Sequence, residues 1–313
     1  MFSRILESLS AGLLLAGLLL AMAGPCPAQE VPSFDGERAM ELLVRQCALG
    51  PRVPGSEGNR QLREELLAAA RAGGLRAATH SFEAVMTLGQ SPVTLHNIII
   101  SAGPAQGPRL WLGAHYDTRP VCDKDPDKGL RNQPLTGAND GASGVAVLWH
   151  LLELMVARPP ERPVDLIFFD GEDAGISGRL SSFCVGSARL AATLGDFDNP
   201  LTGRQPEGLI LLDMVGDRDL AIPMEGYSLA NAGFLVEKVF GRARQLGLSA
   251  FQPVPGPQVY DDHVPFLEQG IPAVDLIDLD YRPWHTTGDV PAMCSARSLE
   301  EVGRLVTDLV YRP

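Results

Sequence analysis

The sequence predicts a single α/β domain in which helices cover both faces of a mixed, mostly parallel central β-sheet. From residue 75 onward, short apolar runs alternate with amphipathic runs of helical length. Apolar runs without polar alternation are typical of strands buried on both faces, which occur in sheets covered by helices. No internal repeat or low-complexity linker divides the chain, so we expect one domain.

The predicted elements follow from hydrophobic periodicity and from their start and stop signals. The first two predicted helices span 34–50 and 55–74, and Ser56 is a possible N-cap of the second. Ser295 is placed to cap the closing helix, and residues 121–140 form a loop rich in turn formers. The other predicted elements are strands at 75–85, 93–100, 109–115, 164–170, 208–216 and 271–278, and helices at 141–157, 186–194, 231–247 and 295–312.

Composition excludes some classes of partner. The chain has 313 residues, 38 acids against 26 bases, and a net charge of -12. No Lys/Arg cluster stands out, so a phosphate backbone would be repelled and we expect no nucleic-acid partner. The hydrophobic content of 45% is ordinary for a globular protein that builds its own core.

The first 28 residues have the layout of a secretory signal peptide. Arg4 precedes the apolar run "AGLLLAGLLLAMAG", and small residues precede a polar stretch, so cleavage is expected after Ala28. This predicts residues 29–313 as the mature domain, secreted or periplasmic. The alternative is an uncleaved anchor, although the apolar run is short for a membrane span, and we expect no stable span after cleavage.

Export would place four cysteines, Cys47, Cys122, Cys184 and Cys294, in an oxidising compartment. One or two disulfides are possible, and the sequence does not choose among the pairings. None of the four has the CxxC spacing of a zinc knuckle or redox site, so they are interpreted as structural or free.

Acids and histidines follow the predicted strands. The run "VDLIFFDGEDAG" passes from a buried strand directly into Glu172 and Asp173. Ligands bind at the carboxyl ends of strands in such sheets, so these acids lie where a site is expected. The other side chains at strand ends or at the start of the next element are His115, Asp140, Asp213 and His285.

So many carboxylates cannot share one rim unpaired, because like charges raise each other's pKa and destabilise the fold. A bound cation would resolve this, and mixed imidazole and carboxylate ligands suit zinc. Taken singly, Asp140 or Asp213 is more often a helix cap or turn former, and a lone histidine is more often a hydrogen-bonded core side chain. The joint pattern favours a metal site.

These motifs together resemble the zinc-dependent aminopeptidase superfamily, and within it the branch of the animal-type glutaminyl cyclases. The motifs are "GAHYDT", "GANDGASGVAVL", "DLIFFDGEDAG", "LLDMVGD", "DDHVPFLEQGIPAVDLI" and "WHTTGD". They occur in this order, and the resemblance runs from "RVPGSEGNRQLREEL" to the closing helix. It implies a zinc exopeptidase-like fold.

For the cyclase branch, the resemblance implies one Zn²⁺ held by Asp140, Asp173 and His285. Glu172 matches the general acid/base, and Trp284 matches an aromatic residue lining the substrate pocket. Tyr281, in the same loop, is expected to help Trp284 exclude water. Two further acids match a hydrogen-bonded pair beside the metal, namely Asp213 and Asp261.

The resemblance leaves the branch open at the ligand set, because His115, Asp140, Asp173, Asp213 and His285 also match the five ligands of two-zinc aminopeptidases. His115 is therefore the candidate ligand of a second metal. The cyclase reading depends on "YDDHVPFLEQGIP" and "PWHT". Four departures bear on substrate preference and rate. Gly178 lies in a segment where animal cyclases have a tryptophan, Asp275 replaces a histidine, and a cysteine pair near His115 is missing. Asp173 is also one methylene shorter than the glutamate of animal cyclases.

We therefore expect a secreted glutaminyl-peptide cyclotransferase that converts the N-terminal Gln of peptides or proteins to pyroglutamate with one zinc. The alternative is a two-zinc aminopeptidase that releases N-terminal residues. A third possibility is an inactive binding ectodomain. The intact Glu172 argues against it, because clustering this acid with the ligand carboxylates destabilises the fold and a binding protein gains nothing from it.

Overall fold

A computed structural model describes residues 30–312, and within them the predicted fold class is confirmed. The predicted signal peptide lies outside the described residues. The strands are Arg76–Ala84 (β1), Val93–Ala102 (β2), Arg109–His115 (β3), Val164–Phe169 (β4), Pro206–Asp213 (β5), Ile222–Met224 (β6), Phe251–Pro255 (β7) and Ala273–Ile277 (β8). The helices are Gly36–Ala48 (α1), Glu57–Ala72 (α2), Ala142–Ala157 (α3), Val185–Ala192 (α4), Gly226–Gln245 (α5), Val264–Glu268 (α6) and Ala296–Tyr311 (α7).

The central sheet has six strands in the order β1-β2-β4-β3-β5-β8. Strands β4, β3, β5 and β8 run parallel to one another, whereas β1 and β2 pair antiparallel at one edge. The strands β6 and β7, which the sequence did not reveal, form a separate two-stranded sheet. The carboxyl ends of four parallel strands therefore meet at one edge.

Side-chain alternation along the strands divides the core between the two faces of the sheet. Leu110, Leu112 and Ala114 of β3 join the larger core beneath α1, α3 and α7, whereas Trp111 packs with residues of α4 and α6 on the other face. Every residue of β3 is buried. This explains why the strand sequences show no polar face.

Helix starts follow their capping residues. Ser56 accepts a hydrogen bond from Asn59 N, and Ser295 accepts one from Ser298 N, so both predicted caps are confirmed. Helix α5 begins five residues earlier than predicted because Glu225 caps it. Glutamate is not among the preferred N-cap residues, and the predicted start at 231 coincides instead with a kink at Ala232.

Glycine allows α3 to lie directly against the sheet. A Cβ atom at Gly144 would come within 2.2 Å of the Leu212 carbonyl oxygen. Any larger residue would therefore push the first turn of α3 away from β5. Because Asp140 lies in the loop just before α3, this contact also holds that loop against the buried core.

A buried polar cluster lies near the amino end of β4. Asp165 is fully buried and accepts hydrogen bonds from Arg109 Nε (2.7 Å) and Nη2 (2.8 Å) and from Trp111 Nε1 (3.0 Å). Arg204 also bonds to this carboxylate. Asp165 thus compensates two arginines at the end of the sheet opposite the acids.

Among residues 30–312, no helix combines the length and the apolar character that a membrane span requires.

Candidate functional site

Three neighbouring parallel strands deliver the acids and histidines predicted at strand ends. Strand β3 ends at His115, β4 ends just before Glu172 and Asp173, and β5 ends at Asp213. His115 pairs with Phe169 in the register of β3 and β4. The side chains that follow these strands consequently meet at one edge of the sheet, as expected for this topology.

The first group of possible metal ligands consists of His115, Asp140 and Asp213, which offer atoms within 4.8 Å of one another. His115 Nε2 lies 3.3 Å from Asp140 Oδ1 and 3.1 Å from Asp213 Oδ1. Burial lowers the pKa of His115, but its hydrogen bonds to Asp117, Asp140 and Asp213 outweigh burial and raise it well above its usual value. A cation would replace that proton.

The second group consists of Asp140, Asp173 and His285, again with atoms within 4.8 Å. His285 Nε2 lies 3.3 Å from Asp173 Oδ1 and 3.6 Å from Asp140 Oδ2. His285 has a left-handed backbone (φ 55), which is uncommon for a residue with a side chain and recurs at functional sites. The two oxygens of Asp140 thus face different groups, and this carboxylate is shared between them.

Both groups fit zinc by donor chemistry, since imidazole nitrogen and carboxylate oxygen are its usual ligands. Asp140 Oδ2 and Asp173 Oδ2 are buried and have no hydrogen-bond partner among residues 30–312. Buried carboxylate oxygens are costly unless paired or metal-bound. These orphaned atoms therefore favour a cation at the shared carboxylate.

Further polar residues hold the ligand candidates, and the sequence did not single them out. The Glu172 and Asp173 amides donate to the two oxygens of Asp117, at 3.1 and 3.3 Å. Arg119 Nη1 donates to Asp173 Oδ1 (2.9 Å). Asp289 accepts from the Asp140 amide at 3.2 Å. Of these residues, only Asp117 comes directly after a strand, and this position could have indicated a role at the site.

Glu172 lies next to these groups without belonging to either. Burial raises its pKa well above the usual value, and the neighbouring Asp173 carboxylate adds to the effect. Glu172 and Asp261 both offer oxygens to a third cluster of atoms within 4.8 Å, which also includes Cys184. The pKa of Asp261 is likewise raised, by burial and then by Asp213 and Asp262. A carboxyl group with a raised pKa is suited to accept and donate a proton at neutral pH.

A cavity of about 330 Å³ opens over these residues. Glu172, Asp261 and all the metal-ligand candidates except His115 face it. Trp284 forms part of the wall, with its ring centroid 4.0 Å from that of His285. Trp284 thus faces the cavity beside His285, and its contact with a substrate stays a prediction.

The prediction for Tyr281 is wrong. This residue is 3% exposed and does not line the cavity. Its hydroxyl donates to Asp289 Oδ1 at 2.7 Å, and its ring packs with Met214 and Ile277 behind the wall. The hydroxyl turns inward because its hydrogen-bond partner is a buried carboxylate. Tyr281 therefore stabilises the loop and does not face the space where a substrate would bind.

The rim of the cavity includes a loop, residues 175–183, that is closed by its own hydrogen bonds. Ile176 N donates to Ser182 Oγ (3.0 Å) and Arg179 N donates to Ile176 O (3.1 Å). Gly178 has φ 86, and a side chain there would meet nothing within 4 Å. The space beside Gly178 is therefore open, and Leu180 of this loop is 54% exposed.

Two other histidines do not line the cavity, and each contacts a polar partner. His150 Nε2 accepts from Asp35 N (3.2 Å), and His263 precedes α6 with its Nε2 3.0 Å from Glu225 Oε2. Asp275 is fully buried, with neither carboxylate oxygen hydrogen-bonded. The four cysteines expected to be structural or free are all free thiols, so neither possible disulfide is formed.

A family model for peptidase family M28 matches residues 97–310. The chain belongs to peptidase family M28. M28 enzymes depend on zinc, so the predictions of an enzyme and of zinc are confirmed at the level of the family. The match includes every metal-ligand candidate, together with Glu172 and Asp261.

The similar proteins include both activities that the sequence left open, glutaminyl cyclase and aminopeptidase. The glutaminyl-peptide cyclotransferase-like protein of Mus musculus is 29% identical over 88% of this chain and 75% of its own length. The glutaminyl cyclase of Porphyromonas gingivalis is 33% identical, with a TM-score of 0.82 over 88% of this chain and 96% of that one. A leucine aminopeptidase precursor from Bacteroides thetaiotaomicron is 30% identical, with a TM-score of 0.84 over 91% of this chain and 99% of that one.

Proposed function

We propose that this M28 protein is a glutaminyl-peptide cyclotransferase that closes the N-terminal glutamine of peptides or proteins to pyroglutamate and releases ammonia. The observation that carries the proposal is the placement of Glu172 and Asp261 together in the cavity, beside the group formed by Asp140, Asp173 and His285. Relatives named as glutaminyl cyclases, which match nearly the whole described chain, support it.

The cavity offers complementary environments to the two ends of the reacting glutamine. The α-amine reacts in its neutral form, and we place it against Asp213 and Asp261; burial, and then Asp213, raise the pKa of Asp261. The side-chain carboxamide then points toward Asp140, Asp173 and His285. In this orientation the amine and the carboxamide carbon of one residue lie within bonding reach, so the reaction gains from proximity.

Zinc bound by Asp140, Asp173 and His285 would supply a Lewis acid for the carboxamide oxygen. Glu172 takes a proton from the α-amine as its nitrogen bonds to the carboxamide carbon. The same residue then returns that proton to the departing nitrogen, the bond from carbon to that nitrogen breaks, and ammonia leaves. One acid/base thus serves both steps, as its raised pKa suits.

Water must be kept from the carboxamide, because hydrolysis would give glutamate rather than pyroglutamate. The walls of the cavity are largely apolar and include Phe183, Met214, Ile277 and Trp284. Trp284 also packs over the His285 ring. This wall excludes water from the side of the cavity nearest the ligand candidates.

The test is to incubate the purified protein with a peptide that begins with Gln and follow the peptide by mass spectrometry. A loss of one ammonia per peptide supports the proposal. The matched control is the Glu172→Gln variant on the same peptide. Shortening of the peptide by one residue at a time, with no loss of ammonia, would overturn the proposal in favour of a peptidase.

One observation favours a second candidate, an aminopeptidase with two metals. His115, Asp140 and Asp213 form a group of ligand candidates in addition to Asp140, Asp173 and His285, and Asp140 directs one oxygen to each group. Two ions held by these residues would supply the means to activate water for peptide hydrolysis. Metal content distinguishes the candidates: the cyclotransferase is proposed to hold one zinc per chain, and the aminopeptidase two.

We further propose that residues 1–28 are a signal peptide and that residues 29–313 act outside the cytoplasm. The apolar run after Arg4 and the small residues before Gln29 support this. Intact mass of the protein recovered from the culture medium or periplasm would test it. A mature chain that begins at Gln29 is expected, and a full-length chain held in the membrane fraction would contradict the proposal.

A further inference from the structure

The carboxylate of Glu172 has one hydrogen-bond donor among the described residues. Cys184 Sγ lies 3.5 Å from Glu172 Oε1. The terminal torsion of a glutamate is broad, so a carboxylate at the edge of a cavity is free to turn unless a neighbour holds it. The thiol is the side chain placed to do so.

The backbone ties the same two residues together. Cys184 N donates to Glu172 O (2.9 Å), and Val185 N donates to Gly171 O (3.1 Å). The start of α4 is thereby fastened to the segment that carries Glu172. The distance between the thiol and the carboxylate is set by these backbone bonds rather than by flexible side chains.

Cys184 has a left-handed backbone conformation, with φ 55 and ψ 33. Glycine or asparagine takes this conformation at lower cost, so the fold carries strain to keep a side chain at this position. Cys184 is fully buried. Burial, and then the neighbouring Glu172, raise the pKa of its thiol well above the usual value, so the sulfur keeps its proton and donates.

We propose that Cys184 is a positioning residue, whose S–H group holds the Glu172 carboxylate turned toward the reacting atoms in the cavity. The inference rests on the proposed role of Glu172, and it applies to cyclisation and to peptide hydrolysis alike. A thiol is a weak donor, so the expected effect on the rate is moderate.

Three variants separate positioning from packing: Cys184→Ala and Cys184→Gly remove the donor, and Cys184→Ser keeps one. For Ala and Gly we expect kcat to fall about tenfold, or about 1.4 kcal/mol, with KM and zinc content unchanged. Gly also relieves the left-handed strain, which offsets part of the stability lost with the buried side chain, so we expect its thermal stability to be no lower than that of Ala while its kcat falls equally. Ser is expected to retain at least threefold more kcat than Ala.

The matched control is Cys294→Ala, which removes a buried thiol that does not face the cavity and should keep wild-type kcat. Rates are measured on a Gln-initiated peptide and on leucine 7-amido-4-methylcoumarin. Wild-type kcat in Cys184→Ala, or a Ser variant no better than Ala, would overturn the inference. If the wild type converts neither substrate, the proposed function fails instead.

Infrared spectroscopy tests the hydrogen bond itself without any turnover. The difference spectrum between wild type and Cys184→Ser isolates the S–H stretch of Cys184. We expect this band to lie at the lower frequency of a hydrogen-bonded thiol and to move to higher frequency in Glu172→Ala. A band at the frequency of a free thiol, unmoved by Glu172→Ala, would overturn the inference whatever the enzyme catalyses.

Discussion

Replacing Glu172 by glutamine should abolish most activity and leave both zinc and fold in place. The substitution is nearly isosteric, and the backbone bonds from Cys184 N and to Asp117 are unchanged. A general acid/base contributes roughly 10²–10⁴ in rate, so kcat should fall by that factor, about 2.7–5.4 kcal/mol at 1.36 kcal/mol per decade. Glu172 contributes no atom to the group of His115, Asp140 and Asp213 or to that of Asp140, Asp173 and His285, so zinc content should not change.

The same change should not destabilise the protein. Burial and Asp173 raise the pKa of Glu172 because they disfavour its charged form, so a neutral amide removes a repulsion from the folded state. The free energy of unfolding at pH 7 is therefore expected to equal or exceed that of the wild type. The assays are kcat on a Gln-initiated peptide, zinc by atomic emission and unfolding in urea.

Asp173→Asn is the matched comparison, because Asp173 belongs to the group with Asp140 and His285. It should lose zinc and activity together. If Glu172→Gln lost zinc in proportion to its activity, the roles of the two adjacent acids would have been assigned the wrong way round. An active Glu172→Gln enzyme would refute the acid/base role.

Three other outcomes are expected. Asp140→Asn should lower zinc content further than a change to any single other ligand candidate, because Asp140 serves both groups; full zinc content by atomic emission would count against a shared carboxylate. Asp165→Asn should lower the free energy of unfolding in urea by about 3–5 kcal/mol, since it strands Arg109 and Arg204 beside a neutral amide; a loss below ~1 kcal/mol would contradict this. Burial, and then a nearby arginine, lower the pKa of His96 from 6.5 to about 4. Its neutral form therefore stabilises the fold above about pH 6.5, and this contribution is lost as pH falls toward 4; His96→Gln should flatten urea-derived stability across that range, and an unchanged slope would argue otherwise.

Most of the fold could be predicted because strand and helix periods differ sharply in this chain. The run from Val164 to Phe169 is buried throughout, and its uniform apolar sequence indicated a covered strand. The sheet of β6 and β7 could not be predicted, since β6 has only three residues and β7 has one buried residue in five. Such short segments carry no period to recognise.

The positions of the site residues followed from topology, but their contacts did not. His115, Asp173 and Asp213 come at the ends of parallel strands, and parallel strands must end at one edge. The position of Tyr281 could not be predicted from topology, because the sequence of its loop does not fix the direction of the ring. The ring turns inward because its hydroxyl donates to the buried carboxylate of Asp289. Cys184 gave no signal, since its partner Glu172 is reached through a loop whose path the sequence does not state.

The floor and the mouth of the cavity are held by different contacts. Gly144 seats the start of α3 against the Leu212 carbonyl, so Asp140 is anchored in the interior, whereas the segment around Gly178 and Leu180 closes on itself. The tip of that segment, at Gly178 and Leu180, is exposed, whereas Phe183 at its end packs against Arg119, which bonds Asp173. Changes at Gly178 or Leu180 would therefore reshape the mouth of the cavity without removing any of the metal-ligand candidates at its floor.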